Sequence, residues 1–200
     1  MLSNYRLGDI IVQANQVHTL LYPEILTDHP TTIGSDYVLS HDKSDRIGLA
    51  TQIVLRHIQK YEHLFPHDLE CSTVVHLRLG DAVGGTHFYE RRLRPFDPSY
   101  YQSVVPEGNV YVIGKCHFGK GESSTNYDEC MELSNYYMEN VLHLLKATHF
   151  DGGHPDIDLC FAVKAKQFVQ GRGFYSKLIV EIRRCLDLKS IEIESHDWSQ

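Results

Sequence analysis

The apolar positions of this 200-residue chain change rhythm near residue 70. Before that point they recur at helical spacing. Ile10, Ala14, Val17 and Leu21 share one helical face, and Pro23 ends or closely follows it. A short strand pattern covers residues 33–39. Ser44 is a good N-cap for a second long helix with Ile47, Ala50, Val54, Ile58, Tyr61 and Phe65 on its apolar face, and Pro66 stops it. From residue 72 onward, strand-like and helical stretches alternate. Val74-Val75-His76-Leu77-Arg78-Leu79-Gly80-Asp81 predicts a strand ending in a Gly-Asp turn. Side chains alternate along a strand, so His76 and Arg78 are expected on one face and Leu77 and Leu79 on the other.

A short helix is predicted to start at Asp97-Pro98, with proline at the favoured first position. A buried strand over residues 109–114 ends in Gly114. Asn126 and Glu129 form a capping-box-like start to a long helix that buries Cys130, Leu133, Tyr137, Val141 and Leu144. A short helix from Ile157 to Lys164 and a strand at Gln167–Val169 come next. The glycine loop Gln170-Gly171-Arg172-Gly173 leads into a helix from Phe174 to Leu186, and residues 190–193 form a last strand. This alternation implies an α/β fold, a parallel sheet covered by helices.

Composition narrows the function. The chain is 42% hydrophobic and 22% charged, as a globular protein should be. A net charge of −7 argues against a general nucleic-acid surface. Arg91, Arg92 and Arg94 form a local basic cluster that suits a small anion better than a polymer; taken alone, it reads as a solvated loop. Five cysteines, an odd number without a C-x-x-C pair, point to reduced thiols and a cytoplasmic setting. No signal peptide is expected, and no apolar run approaches the ~20 residues of a membrane span. His149, Asp151 and His154 lie close together, but neither a helical i, i+4 pair nor a cysteine pair accompanies them, so no metal site is expected.

Two segments are suited to an anion. A histidine and an arginine at the carboxyl end of a strand are costly to bury unpaired, and a bound anion would pair them. Carboxyl ends of strands are where ligands sit in open α/β sheets. The second segment is strand, glycine turn and helix start around residues 167–176. Backbone N–H groups of the first helical turn are unpaired there, and glycine permits close approach. Arg172 and Ser176 add a guanidinium and a hydroxyl. Such a loop by itself is more often a tight turn. Asp156 and Asp158 suit a helix N-terminus. Gly114, Cys116 and His117 end the central strand, where a base or ribose could lie. Arg6 and Asp9 head the first helix, where an acid near the positive dipole end is the simpler reading.

The run His76-Leu77-Arg78-Leu79-Gly80-Asp81 also fits H-x-R-x-G-D. It resembles the first peptide motif shared by protein O-fucosyltransferases, α-1,6-fucosyltransferases and bacterial nodulation fucosyltransferases, matching at His76, Arg78, Gly80 and Asp81. The late glycine loop is similar to the one that meets the donor in those enzymes, although Tyr175 separates Phe174 from Ser176 here. The resemblance implies a Rossmann-like lobe of GT-B type over residues 70–200 and a reduced, helix-rich, acceptor-side N-terminal lobe over 1–69; the alternative is that these helices pack directly on the sheet as one domain. It implies transfer of a 6-deoxy sugar to a glycan or other hydroxyl acceptor. GDP-fucose is the first expectation for the donor and UDP- or dTDP-L-rhamnose the second, with no metal needed. Arg78 would hold the diphosphate, His76 would fix diphosphate or ribose geometry, and Asp81 is the candidate base. Gly80, Gly114, Asp158, Gly171, Arg172, Gly173 and Ser176 would line the donor site. The alternative is a non-catalytic nucleotide-sugar-binding module of a larger multidomain glycosyltransferase. The absence of disulfide spacing departs from the secretory members of that superfamily.

Overall fold

The computed structural model describes residues 43–84, 94–117, 126–153 and 155–192. The expected helix and strand before residue 40 lie outside these, as do Arg6, Asp9, Arg91, Arg92 and His154. In chain order the elements are α1 (Lys43–Tyr61), β1 (Thr73–His76), β2 (Leu79–Gly80), α2 (Asp81–Gly84), α3 (Pro98–Val104), β3 (Val110–Ile113) and β4 (Cys116–His117). They continue as α4 (Tyr127–Leu145), β5 (Thr148–His149), α5 (Pro155–Lys164), β6 (Gln167–Val169), α6 (Phe174–Cys185) and β7 (Ser190–Ile191). Two single-turn 3₁₀ segments, Glu62–Leu64 and Leu69–Cys71, join α1 to β1.

Five strands form one parallel sheet in the order β5-β3-β1-β6-β7. The chain therefore winds outward through β3 and β5 on one side of β1, returns, and winds outward through β6 and β7 on the other. Winding reverses between β1 and β6, and ligands in open α/β sheets occupy the crevice at such a point. Both faces are covered, so all four residues of β1 are buried. Val74 and Phe168 pack with α1, α5 and α6; Val75, Val112 and Val169 pack with α3 and α4. α1 contributes Ile47, Ala50 and Val54, and Phe65 and Leu69 join the same core. Residues 43–69 thus lie directly on the sheet beside α5 and α6.

Local chemistry explains most boundaries. Asn126 caps α4 by accepting from the Glu129 N–H, and Asp97 caps α3 by accepting from the Ser99 N–H at 2.9 Å. Ser44, expected as a cap, lies inside α1. The buried stripe of α4 is Cys130, Ser134, Met138 and Val141, whereas Leu133 is exposed. The helix is rotated from its expected orientation because Ser134 faces inward as a polar link. Arg183 of α6 is fully buried. Its guanidinium donates to the carbonyl oxygens of Ala162, Val163, Ala165, Lys166 and Lys189 and to Ser190 Oγ. It thereby closes the carboxyl end of α5, whose last carbonyls lack helical partners, and ties down the approach to β7. Burial pulls its pKa down to about 10. The five cysteines are free thiols. Among the described residues no helix is long and apolar enough to cross a membrane.

The motif strand differs from expectation. β1 stops at His76, and alternation does not continue through Arg78. The chain resumes as β2, which pairs with β4 in a separate two-stranded parallel ladder. β3 breaks at the same level, at Gly114 and Lys115. The two strands step aside together because the Leu77 carbonyl closes on Gly114, where a Cβ would come within 2.6 Å of that oxygen. The far side of the step is fastened to α4. Gly80, at φ +81°, donates its N–H to Ser134 Oγ at 2.9 Å, and Ser134 donates to the Cys130 carbonyl at 2.6 Å. β6 pairs with β1 only as far as Val75 and Val169, so the two chains part just beyond His76.

Candidate functional site

The two anion-suited segments meet where β1 and β6 part. Gly171, the second residue after β6, packs against the end of β1. A Cβ there would overlap the His76 carbonyl oxygen and lie 2.7 Å from His76 Nδ1. Gly173, at φ +93° and ψ 170°, forms the N-cap of α6, and its nearest side-chain neighbour is Arg78, 3.8 Å from an added Cβ to Cδ. Gly173, the N-cap of α6, has no side chain with which to cap the helix. A guanidinium and a helix N-terminus therefore stand side by side at the winding reversal. Each favours negative charge.

His76 is 6% exposed. Its ring packs on Tyr175, with centroids 5.3 Å apart and the planes tilted by 43°. Tyr175 is anchored in turn by donating its hydroxyl to the Pro155 carbonyl at 2.5 Å. Burial, with the neighbouring Arg78 charge adding to it, lowers the His76 pKa to about 3. The imidazole is neutral at physiological pH.

Arg78 already has a protein partner. Its Nη2 donates to Asp81 Oδ1 at 2.6 Å and its Nη1 to the Leu79 carbonyl at 3.0 Å. The two side chains are 15% and 9% exposed. Desolvation lowers the guanidinium pKa, opposed by the charges of Asp81 and Cys116. The carboxylate thus supplies the counter-charge that sequence reasoning assigned to a ligand, and one of its oxygens is committed to that pair.

Other expected site residues have structural duties. Ser176 is fully buried, and its hydroxyl accepts from the Gly171 N–H at 2.8 Å, holding the loop rather than facing open space. Asp158 lies buried in the first turn of α5 and accepts from the Gly152 N–H at 2.8 Å. Desolvation raises its pKa to about 6, against the pull of that hydrogen bond. Asp156 is buried in the same turn. Gly114 is the close-contact point against Leu77, and Gly80 adopts the left-handed turn that leads to α2. Cys116, half-buried on β4, lies close enough to Arg78 to act on its charge. His117 follows it on the same strand. Asp151 forms an ion pair with Lys115 at 2.7 Å. Among the described residues no cluster of three metal-ligating side chains occurs.

Arg172 turns toward the α3 side. Its guanidinium lies over the Phe96 ring, 4.2 Å from the centroid. Phe96 belongs to the wall of an open groove of about 440 Å³, together with Val83, Arg94, Asp97 and Tyr137. Sequence reasoning missed Phe96 and Tyr175. Nothing local to Phe96 marks it, whereas Tyr175 stood out only as an interruption between Phe174 and Ser176.

Compared with known proteins, the chain matches no protein-family model and no curated protein.

Proposed function

We propose that this chain is the donor-binding lobe of a GT-B-type glycosyltransferase. It would transfer a 6-deoxy sugar, fucose from GDP-fucose first and L-rhamnose second, to a hydroxyl acceptor. One observation carries the reading: Arg78 of the H-x-R-x-G-D run and the glycine-led N-terminus of α6 are adjacent at the winding reversal of a parallel sheet. A diphosphate placed there would meet the guanidinium on one side and the amides of the first α6 turn on the other. Group transfer breaks the bond between the anomeric carbon and the diphosphate, and the negative charge that builds on the leaving phosphate is what these groups would stabilise. His76 and Gly171 would form the floor, and Arg172 would close the α3 side.

The Arg78–Asp81 pair favours a second reading. A carboxylate that neutralises the arginine is poorly placed to take a proton from an acceptor hydroxyl, so this lobe would bind the donor without turning it over. A thermal-shift panel of GDP, UDP and dTDP tests the shared claim. A ligand at a hundred times its dissociation constant adds ~2.7 kcal/mol of stability, or about 5–10 °C for a chain of this size. No shift with any nucleoside diphosphate rejects both readings. A shift without GDP-fucose hydrolysis or transfer selects the second.

A further inference from the structure

The loop between β6 and α6 passes over the carboxyl end of the sheet. It leaves a strand whose Val169 packs with α3 and α4, and it enters a helix whose Leu178 and Ile179 pack on the opposite face. Arg172 lies in it between Gly171 and Gly173, so the backbone on either side has little stiffness of its own. We propose that Phe96 is a positioning residue for this loop: its ring is a fixed socket for the Arg172 guanidinium, and that stack sets where the first turn of α6 stands relative to Arg78. The consequence for a ligand rests on the proposed nucleoside-diphosphate reading; the socket does not.

Phe96 is held from three sides. Tyr100 lies against its ring, with centroids 4.4 Å apart and planes tilted by 34°, and Tyr101 meets it edge-on at 6.1 Å. Its carbonyl accepts from the Tyr137 hydroxyl of α4. Tyr101 is fully buried, and α3, which carries both of the other tyrosines, is capped by Asp97. A ring so confined gives a cation stacked on it a defined place. Arg172 Cζ lies over that ring, 4.2 Å from its centroid. A guanidinium is planar and weakly hydrated, which suits it to an aromatic face. The Tyr101 phenol is pushed up by burial and drawn back in part by the Arg172 charge, so the guanidinium stands within electrostatic reach of the same cluster.

The other ties of the loop run elsewhere. The Gln170 N–H donates to the Ile191 carbonyl, and the Gly171 N–H to Ser176 Oγ. Tyr175 of α6 donates to the Pro155 carbonyl of α5. The Arg172–Phe96 stack joins the loop to α3 and α4. Helix α4 also holds the Gly80 turn, two residues after Arg78, through Ser134. Ser134 and Tyr137 are one helical turn apart. Both halves of the crevice are thus referred to one short stretch of one helix.

Hydrogen exchange of the Gly171 amide reads loop opening without any ligand. Phe96→Leu removes the aromatic face and keeps apolar bulk; Arg172→Met keeps the stem and removes the charge. Each should speed that exchange by about 5–30-fold, the worth of a partly desolvated cation on a ring. The double variant should open no faster than either, and Phe96→Tyr, which restores the face, should match wild type. Unchanged exchange in Arg172→Met, additive effects in the double variant, or a Phe96→Tyr protein that opens like Phe96→Leu overturns the socket. Arg172→Met leaves the tyrosines of α3 in place, so it decides the matter if Phe96→Leu fails to fold. GDP titrated into the same variants tests the positioning. Its affinity should fall by about the same factor in Phe96→Leu and recover in Phe96→Tyr. Arg172→Met should weaken GDP binding in the wild-type background and not in the Phe96→Leu background. A further loss there would mean that Arg172 touches the anion itself, and wild-type affinity in Phe96→Leu would mean that the loop is placed without Phe96. Either result overturns the positioning role. If wild type binds no nucleoside diphosphate, the proposed function fails and the exchange rates alone decide the socket.

Discussion

Replacing Gly171 by alanine tests the contact on which the site depends. The new Cβ would overlap the His76 carbonyl oxygen and approach its Nδ1 and carbonyl carbon. These are mostly backbone atoms of a central strand, with no flexible side-chain end to give way. β1 is hydrogen-bonded on both edges, to β3 and to β6, so relief requires the sheet itself to move. Overpacking of this kind costs up to about 3 kcal/mol. Loss of glycine freedom in the unfolded chain returns about 0.4–1 kcal/mol. The net is about 2 kcal/mol, or a melting temperature lower by about 4–8 °C for a chain of this length. Gly48 provides a control of opposite sign. It lies within α1 and a Cβ there meets nothing within 4 Å, so Gly48→Ala should stabilise by about 1 kcal/mol. Gly173→Ala isolates backbone strain. Its surroundings are open apart from Arg78, but its φ of +93° with ψ 170° is a conformation nearly confined to glycine, and a side chain there costs about 1–3 kcal/mol. Thermal and urea unfolding of the three variants would measure each effect. A Gly171→Ala protein that melts with wild type would refute the close approach of the two loops, and with it the site.

Arg78→Ala should lower sugar transfer by ~100–1000-fold while the protein stays folded, measured as turnover of GDP-fucose. Pairing it with Asp81→Asn separates chemistry from the stability lost when a buried carboxylate is left alone, and near-normal turnover would remove Arg78 from the mechanism. Asp158 has a folded pKa of about 6, above its unfolded value, so its contribution is full below about pH 4 and is lost as pH rises through about 6. Asp158→Asn, which keeps the acceptor for Gly152, should flatten stability over that window and raise it at pH 7 by up to ~3 kcal/mol; urea midpoints that keep the wild-type slope would contradict this. Arg183→Met should cost about 3–5 kcal/mol in urea unfolding, because several buried carbonyls lose their donor together, and an unchanged midpoint would mean that water replaces it.

Sequence periodicity located α4, α5, β6 and α6 to within two residues because each carries a local signal. Asn126, Pro155, the Gln167–Val169 run and Gly173 mark ends with short-range chemistry. The step after β1 carried no such signal. Leu77, Arg78 and Leu79 continue the alternation of a strand, and the contact of Leu77 with Gly114, thirty-seven positions along the chain, interrupts it in space without leaving a mark in the local pattern. β5 escaped notice because two residues, Thr148 and His149, are too few to show a period. At the site, residue types were legible and their partners were not. Arg78 and Gly173 were readable as anion-binding groups. That Asp81 already neutralises the guanidinium, and that the Ser176 hydroxyl is spent on Gly171, depends on how side chains turn within a few ångströms.

Ser134 gives the second tier of the molecule an unexpected importance. It sits fully buried in the middle of α4, yet it is the rivet between that helix and the turn that aims the motif arginine. A survey of damaging substitutions should therefore turn up positions along the inner seam of this helix, as well as around the crevice. An engineer wishing to re-aim the guanidinium without touching the crevice would begin on that seam.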